Sequence, residues 1–356
     1  LKESLDCILN QSLSDLEVIC VDDGSSDDSL DIIKDIAPTD SRVKYHHQEN
    51  RGGGAARNVA IKHATGKYIY FMDADDKLDN NALKECFDIS EEKHLDFLIF
   101  KAIDYVEDTG EYVTSEEYTM SDVCNFVKDK VFSYKDLGDL IFKISVTPWC
   151  KFYNREFVVK SNAKFAEGLI FHDNIFFYDS LFYAKRIYFY NKVLYTRRRH
   201  SASSTGAGDI RHINYITISE MIWEIFFRHN VFDEYKKDMQ TKKFGVVHYW
   251  YKHIKEEFKE EYFTEMKGDY EKIAKDDDFC RYIVGDLIDW QKNIFMSVID
   301  SDTHEEFDLH IRNYESIGYW DFWQKQSLIP GQDCETICGL LHSIPGKLDD
   351  MGGDEP

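Results

Sequence analysis

The stretch GGGAARNVAIKHATGKYIYFMDADDKL, residues 52–78, decides how this chain folds. Three glycines open a helix, a Thr-Gly-Lys turn ends it, and the run YIYFM comes next, apolar nearly throughout. A run of that length and composition reads as a buried strand. It ends in three aspartates, Asp73, Asp75 and Asp76. The residues leave two explanations open: a solvated turn that caps the next helix, or a site that a divalent cation completes.

The same alternation extends in both directions. Helix LKESLDCILNQ, strand LEVICVDD, helix SDDSLDIIKDIA and short strand RVKYHHQ come before it; helix DNNALKECFDISEE and strand LDFLIFKAIDY come after. Apolar strands separated by amphipathic helices predict an α/β fold with a doubly wound, mostly parallel, Rossmann-like sheet. From about residue 106 to 165 the pattern loosens, with VEDTGEYVTSEEYTMSD as an exposed hairpin or loop and YKDLGDLIFKI as a helix. Residues 173–185 return to helix, and RIYFYNKVLYTRRRH reads as two short strands ending on a basic cluster. Beyond about residue 205 the strand signals stop. Aromatic-rich amphipathic segments such as INYITISEMIWEIFFRHN and KKFGVVHYWYKHIKEEF predict a helical region over 206–356, divided from 1–205 near SASSTGAGD. Its aromatics read as helix-packing residues, and the last residues, PGKLDDMGGDEP, as a frayed end.

Charge and cysteine usage narrow the function. Lys and Arg total 43 against 66 Asp and Glu, a net charge of -23, which repels nucleic acid and anionic lipid. No apolar run approaches the roughly 18 residues a membrane span needs. The eight cysteines are scattered, mostly in apolar contexts, as in a reduced cytoplasmic protein. Cys334, Cys338 and His342 lie at helical spacing and could offer three metal ligands, without a fourth nearby. The chain opens inside an amphipathic helix, with neither an initiator Met nor a signal peptide, and reads as a fragment.

In an open parallel sheet, ligands sit beyond the carboxyl ends of the strands. Two strands end in clustered carboxylates here: VICVDDGSS at Asp22 and Asp23, and YFMDADD at Asp73 to Asp76. Each alone could cap the helix after it. Together, on neighbouring strands, they would converge on one crevice. Asp73 and Asp75, two apart on a strand end, would face it, while Asp76 would point away and serve the turn. Between the clusters, Gly52, Gly53 and Gly54 permit close backbone approach at a helix N-terminus suited to an anion, and Arg57 one turn later could pair with phosphate.

Taken together, LKESLDCILNQSL, EVICVDDGSSDDSL, ENRGGGAARNVAIKHATGKYIYFMDADDKL, TPWCKFYNREF and EGLIFHDNIFFYDSLFYAKRIYFYNKVLYTRRRHSASST resemble family 2 glycosyltransferases of the GT-A fold, over residues 1–205. The resemblance implies an inverting enzyme that uses a nucleotide sugar, a UDP-sugar being the expected donor, with Mn²⁺ or Mg²⁺. It places the base of the nucleotide on Asp23 with Asp22 beside it, and the DxD motif on Asp73-Ala74-Asp75. Asp73 would face the ribose and Asp75 would bind the metal at the diphosphate, so both count as metal-site residues. Arg57 matches a basic residue near base and phosphate. Asp173 matches the catalytic base, with His172 where the family has Glu. Family members begin with a strand of the type VSVIIPVYN, which this chain lacks, so the first strand of the sheet is expected to be missing. The resemblance further implies a glycan or lipid-linked acceptor, synthesis of surface polysaccharide or glycolipid, and a cytoplasmic location at the inner face of the cell membrane, with peripheral association.

Other residues carry two readings each. The run Arg197, Arg198, Arg199 and His200 could hold the diphosphate or an anionic acceptor, with Arg198 the cofactor-binding candidate, or form salt bridges to the acidic surface. Trp149 and Lys151 could line an acceptor cleft or sit in the core. Against the enzyme stand three alternatives: a binding-only relative, an inactive fragment, and a receiver-like Mg²⁺-binding module.

Overall fold

The computed structural model describes residues 1–199 and 209–317, and its elements follow the alternation in the sequence. Helix α1 (Lys2–Leu9) leads to β1 (Val18–Asp23), α2 (Ser29–Ile36), β2 (Val43–Gln48) and α3 (Gly53–His63). Next come β3 (Tyr68–Tyr70), β4 (Lys77–Leu78), α4 (Ala82–Lys93), and a hairpin of β5 (Phe97–Val106) and β6 (Glu111–Val113). Short elements α5 (Glu116–Thr119), α6 (Ser121–Val127) and β7 (Val131–Phe132) precede β8 (Lys151–Asn154), α7 (Arg155–Ser161), α8 (Asp173–Tyr183) and β9 (Ile187–Arg199).

The two longest ladders are parallel. β1 pairs with β2 through six residue pairs, and β5 with β9 through ten. The shorter pairings β3–β8, β5–β8, β4–β9, β5–β6 and β7–β9 are antiparallel. At the centre lies β5, whose Phe97, Leu98, Ile99 and Phe100 are fully buried. Four consecutive apolar residues with no polar alternation are what a strand covered on both faces requires.

Two local expectations are corrected. RIYFYNKVLYTRRR forms the single strand β9 rather than two: the register runs from Phe100↔Tyr190 to Lys101↔Val193, so Asn191 and Lys192 are a bulge in a continuous ladder. YKDLGDLIFKI does not form one α-helix but two 3₁₀ turns, Tyr134–Asp136 and Gly138–Lys143, because Gly138 takes φ +52° between them.

The strands bearing the two carboxylate clusters are not hydrogen-bonded neighbours. Among the described residues β1 pairs with β2 and β3 with β8, which leaves their other edges unpaired. Between these edges runs a groove of about 730 Å³ with Ile19, Val21, Ile33, Tyr70 and Phe152 in its walls and Asp22 and Asp73 on its lining. Leu1 and Ser4 also line it, and the Ser4 hydroxyl donates to the Ala74 carbonyl at 2.9 Å.

Two compact units divide the chain: residues 1–207 with 220–233, and residues 208–219 with 234–356. The described part of the second is helical. It contains the start of α9 (Asn214–Arg228), then α10 (Lys236–Gln240), α11 (Val247–His253), α12 (Lys259–Ala274), α13 (Asp277–Val284), α14 (Asp289–Asp300) and α15 (His304–Ile317). A π-helical turn at Thr241–Val246 joins α10 to α11. Its aromatics pack inward: Phe244, Tyr270 and Phe295 are buried against one another, and Lys243 and Asp269 form a buried pair at 2.6 Å. The SASSTG stretch, His200, the frayed-end segment and the Cys334–Cys338–His342 group lie outside the described residues.

Candidate functional site

The site is assembled from three segments far apart in sequence: the start of α3, the turn after β3, and the start of α8. Gly52, at φ +86°, turns the chain into α3. A Cβ on Gly54 would stand 2.1 Å from the Ala166 carbonyl oxygen, so glycine there lets α3 approach the segment that leads into α8. The close approach expected for a ligand is thus used, at Gly54, by the chain's own backbone. Asn58 adds to the joint, donating to the Phe165 carbonyl at 2.9 Å while its side-chain oxygen accepts from Phe165 N–H at 3.0 Å.

That joint puts Arg57 between two carboxylates. Its Nη2 donates to Asp73 Oδ1 at 2.5 Å, its Nη1 lies 2.6 Å from His172 Nε2, and Nη1 is 3.9 Å from Asp173 Oδ1. The guanidinium also stands over the Phe165 ring, 5.6 Å from its centroid. His172 Nδ1 is 3.0 Å from the Leu169 carbonyl, so the hydrogen-bond network assigns the proton to Nδ1 and leaves Nε2 to accept from Arg57. Asp173, first residue of α8, keeps a buried Oδ1 that accepts no hydrogen bond, 3.1 Å from His172 Nε2. A buried acceptor without a donor is uncommon and marks a place where a substrate hydroxyl would be welcome.

The two carboxylates are tuned in opposite directions. Burial pushes the Asp73 carboxyl up, with Asp173 and Asp75 adding to it and Arg57 opposing. Burial would raise Asp173 as well, but Arg57 foremost, then His172 and lastly Lys151, hold it below the ordinary carboxylate range. Asp75 is exposed at the rim. Hard carboxylate oxygens in mutual repulsion suit a small divalent cation, so Asp75 and Asp73 fit Mn²⁺ or Mg²⁺.

Other expected residues are placed differently. Asp22 is buried and held by His47 Nδ1 at 2.6 Å and Ser25 N–H at 3.4 Å. Asp23 Oδ1 accepts from Gln48 Nε2 at 2.7 Å and from Arg51 N–H at 2.9 Å, so it secures the turn before α3. Arg198 is committed to Glu3 on α1 and, at 3.4 Å, to Glu107. Trp149 and Lys151 belong to the core: Trp149 stacks on Tyr195 at 4.5 Å, and the fully buried Lys151 donates to the Ser145 and Thr147 carbonyls.

Asp76 requires a correction. It does not point away to serve the turn; it is 2% exposed, accepts the Tyr195 hydroxyl at 2.5 Å and the Arg198 N–H at 2.7 Å. Burial raises it to about 7. Strand alternation misassigns it because β3 ends at Tyr70, so residues 73–76 form a turn to which a period of two does not apply. Sequence reasoning also misses His172 as partner of Arg57 and Tyr195 as partner of Asp76. No spacing rule links residues 115 or 119 positions apart.

Comparison with known proteins bears on the family and the fold. The family model of Glycosyl transferase family 2 matches residues 1–159. The glycosyltransferase GlyG of Streptococcus pneumoniae serotype 4 is 36% identical over 127 residues, covering 35% of this chain and 42% of GlyG. The putative glycosyltransferase EpsH of Bacillus subtilis is 30% identical over 158 residues, 44% of each chain. The uncharacterized glycosyltransferase YibD of Escherichia coli is 29% identical over 175 residues, covering 48% of this chain and 49% of YibD. The chain thus spans less than half the length of these curated relatives. Among solved structures, residues 1–349 of S. aureus TarS in complex with UDP-GlcNAc superpose with a TM-score of 0.65 at 19% identity, covering 90% of this chain and 88% of that one. Residues 1–159 are thus similar to glycosyl transferase family 2, and the chain has the GT-A fold.

Proposed function

We propose that this chain transfers a sugar from a nucleoside-diphosphate sugar to an acceptor hydroxyl, with inversion at the anomeric carbon. The observation that carries the reading is the meeting of Asp73 and Asp173 at one arginine, although a hundred residues separate them. Asp173 is the general base: it takes the proton of the acceptor hydroxyl as that oxygen bonds to the anomeric carbon and the carbon–oxygen bond to the diphosphate breaks. One displacement inverts the configuration and needs no covalent intermediate. A positioned base contributes roughly 10²–10⁴-fold.

Asp75, with Asp73, would hold Mn²⁺ or Mg²⁺, which would supply charge neutralisation at the diphosphate. Arg57 offers its guanidinium to phosphate oxygens in competition with Asp73, and Asp23 with Asp22 borders the nucleoside. Arg198, paired to Glu3 and Glu107, would reach the diphosphate after exchanging those partners. A UDP-sugar is the expected donor, and TarS, which shares the fold, is a protein solved with UDP and with UDP-GlcNAc. The setting in keeping with the family is the synthesis of surface polysaccharide or glycolipid on a glycan or lipid-linked acceptor, in the cytoplasm at the inner membrane face. No helix among the described residues is long and apolar enough to cross a membrane. Against the receiver-like alternative, whose sheet is parallel throughout, stand five antiparallel pairings of seven among the described residues.

We also read the groove between β1 and β3 as able to seat an added apolar strand. The groove presents two unpaired strand edges and apolar walls. The Ser4–Ala74 bond puts the entry to α1 at the carboxyl ends of both strands, where a strand parallel to β1 would finish. Isothermal titration with UDP and UDP-sugars, with and without Mn²⁺, on the chain and on a form extended by such a strand tests the enzyme reading. Absence of metal-dependent nucleotide binding there would sink it and favour a non-catalytic relative.

A further inference from the structure

The turn that carries Asp73 and Asp75 has little backbone pairing of its own. β3 before it is three residues long and β4 after it is two, too short for ladder hydrogen bonds alone to hold an intervening turn in one geometry. Within the turn the backbone bond from Asp76 N–H to the Asp73 carbonyl is long, at 3.4 Å. Something else must hold the two carboxylates in place.

Arg57 holds the Asp73 carboxylate and Ser4 the Ala74 carbonyl, and the remaining hold comes from β9. Tyr195 is fully buried, and its ring lies flat on Trp149, with centroids 4.5 Å apart and planes 10° from parallel. Its hydroxyl donates to Asp76 Oδ2 at 2.5 Å and accepts from Asp73 N–H at 3.4 Å. The other Asp76 oxygen accepts Arg198 N–H at 2.7 Å, three residues further along β9. One phenol and one carboxylate therefore fasten both ends of the turn to one strand, on which Asp79 N–H also donates to the Leu194 carbonyl at 2.8 Å.

We propose that Tyr195 and Asp76 are positioning residues that set the direction of the Asp73 and Asp75 carboxylates toward the divalent cation. Both are too deeply buried to touch donor or acceptor, so they act through the turn. The role is that of an outer layer around metal ligands, where removing one hydrogen bond weakens binding by roughly 10–100-fold. The inference rests on the metal-assisted reading above.

The test is Y195F, which keeps the stack on Trp149 and deletes one hydroxyl, with D76N as a second variant of nearly equal shape. Mn²⁺ binding in the presence of UDP is measured by electron paramagnetic resonance on the full chain, alongside thermal melts without metal. Y195F is expected to melt close to the parent, yet bind Mn²⁺ about tenfold more weakly. Its apparent KM for Mn²⁺ should rise while kcat at saturating Mn²⁺ recovers. D76N should weaken Mn²⁺ in the same way, and it decides the matter if Y195F does not fold. Unchanged Mn²⁺ affinity in a folded variant overturns the positioning role. A parent that binds no Mn²⁺ with UDP instead overturns the metal-assisted reading itself, so the two failures are distinguishable.

Discussion

Arg57 donates to Asp73 Oδ1 at 2.5 Å, and with the same guanidinium stands 3.9 Å from Asp173 Oδ1. The pair Arg57–Asp73 thereby ties the metal-turn carboxylate to the candidate base. Replacing Arg57 with Ala should abolish most turnover. It should also cost about 1.5–3 kcal/mol of stability, the range for hydrogen bonds to charged groups. Chemical denaturation together with a donor-turnover assay checks both. Full activity in a folded R57A protein would contradict the arrangement.

Asp75 and Asp173 should fail in different ways. Asp75→Ala is expected to lose turnover together with metal-dependent UDP affinity. Asp173→Asn is expected to lose roughly 10²–10⁴-fold in turnover while binding UDP and metal as the parent does. Titration calorimetry and turnover on the same preparations separate the two. Equal turnover in the parent and both variants refutes the assignment.

Gly54 is chosen for contact, not for flexibility of the loop. With the Ala166 carbonyl oxygen 2.1 Å from where a Cβ would lie, Gly54→Ala must push α3 away from the segment before α8. Overpacking of this kind costs about 1–3 kcal/mol. Because the shift separates Arg57 from His172, turnover should fall as well. An unfolding curve coincident with that of the parent would show that the joint is looser than described.

Glu17 gives a pH signature remote from the chemistry. Its Oε1 accepts from Thr65 N–H at 2.6 Å, the Thr65 hydroxyl at 2.8 Å and Gly66 N–H at 3.0 Å, while Oε2 meets Lys44 at 2.7 Å. Burial alone would raise this carboxyl, but Lys44 and the three donors outweigh it and bring it to about 2. A carboxylate depressed by folding contributes stability that is fully present above its unfolded value and is lost as pH falls toward the folded one. Glu17→Gln should therefore be less stable than the parent by about 1–2 kcal/mol at neutral pH. The gap should narrow as the pH falls from about 4.5 toward about 2. A gap independent of pH would mean that the charge contributes nothing.

The groove between β1 and β3 predicts a gain. Adding an N-terminal apolar strand should raise the melting temperature by several degrees, since it would pair two edges left unpaired among the described residues and bury the walls of a groove of about 730 Å³. It should also sharpen nucleotide binding, because Asp22 and Asp73 line that same groove. An extended chain that melts no higher, with the added residues open to protease, argues against the strand.

How much of the fold and the site can be read along the chain depends on the range over which each signal acts. Strand and helix identity are local: the unbroken apolar run Phe97–Phe100 and the helical stretch from Gly53 to His63 announce themselves within a few residues. So do the carboxylates at the ends of β1 and β3. The bulge at Asn191 and Lys192 reads as a break because polar residues in a strand look the same whether the chain stops or skips one register.

What the sequence alone determined is the inventory: an α/β chain that resembles family 2 glycosyltransferases, with Asp73, Asp75 and Asp173 as the carboxylates to watch. The tertiary structure decided their relations. It placed Arg57 between two of them, turned Asp76 from the solvent to the Tyr195 hydroxyl, and occupied Asp22, Asp23 and Arg198 with partners of their own. The physical reason is that hydrogen bonds and ion pairs act over a few ångströms in space. Contacts between residues more than a hundred positions apart leave no periodicity in the chain, and only packing decides which polar groups meet.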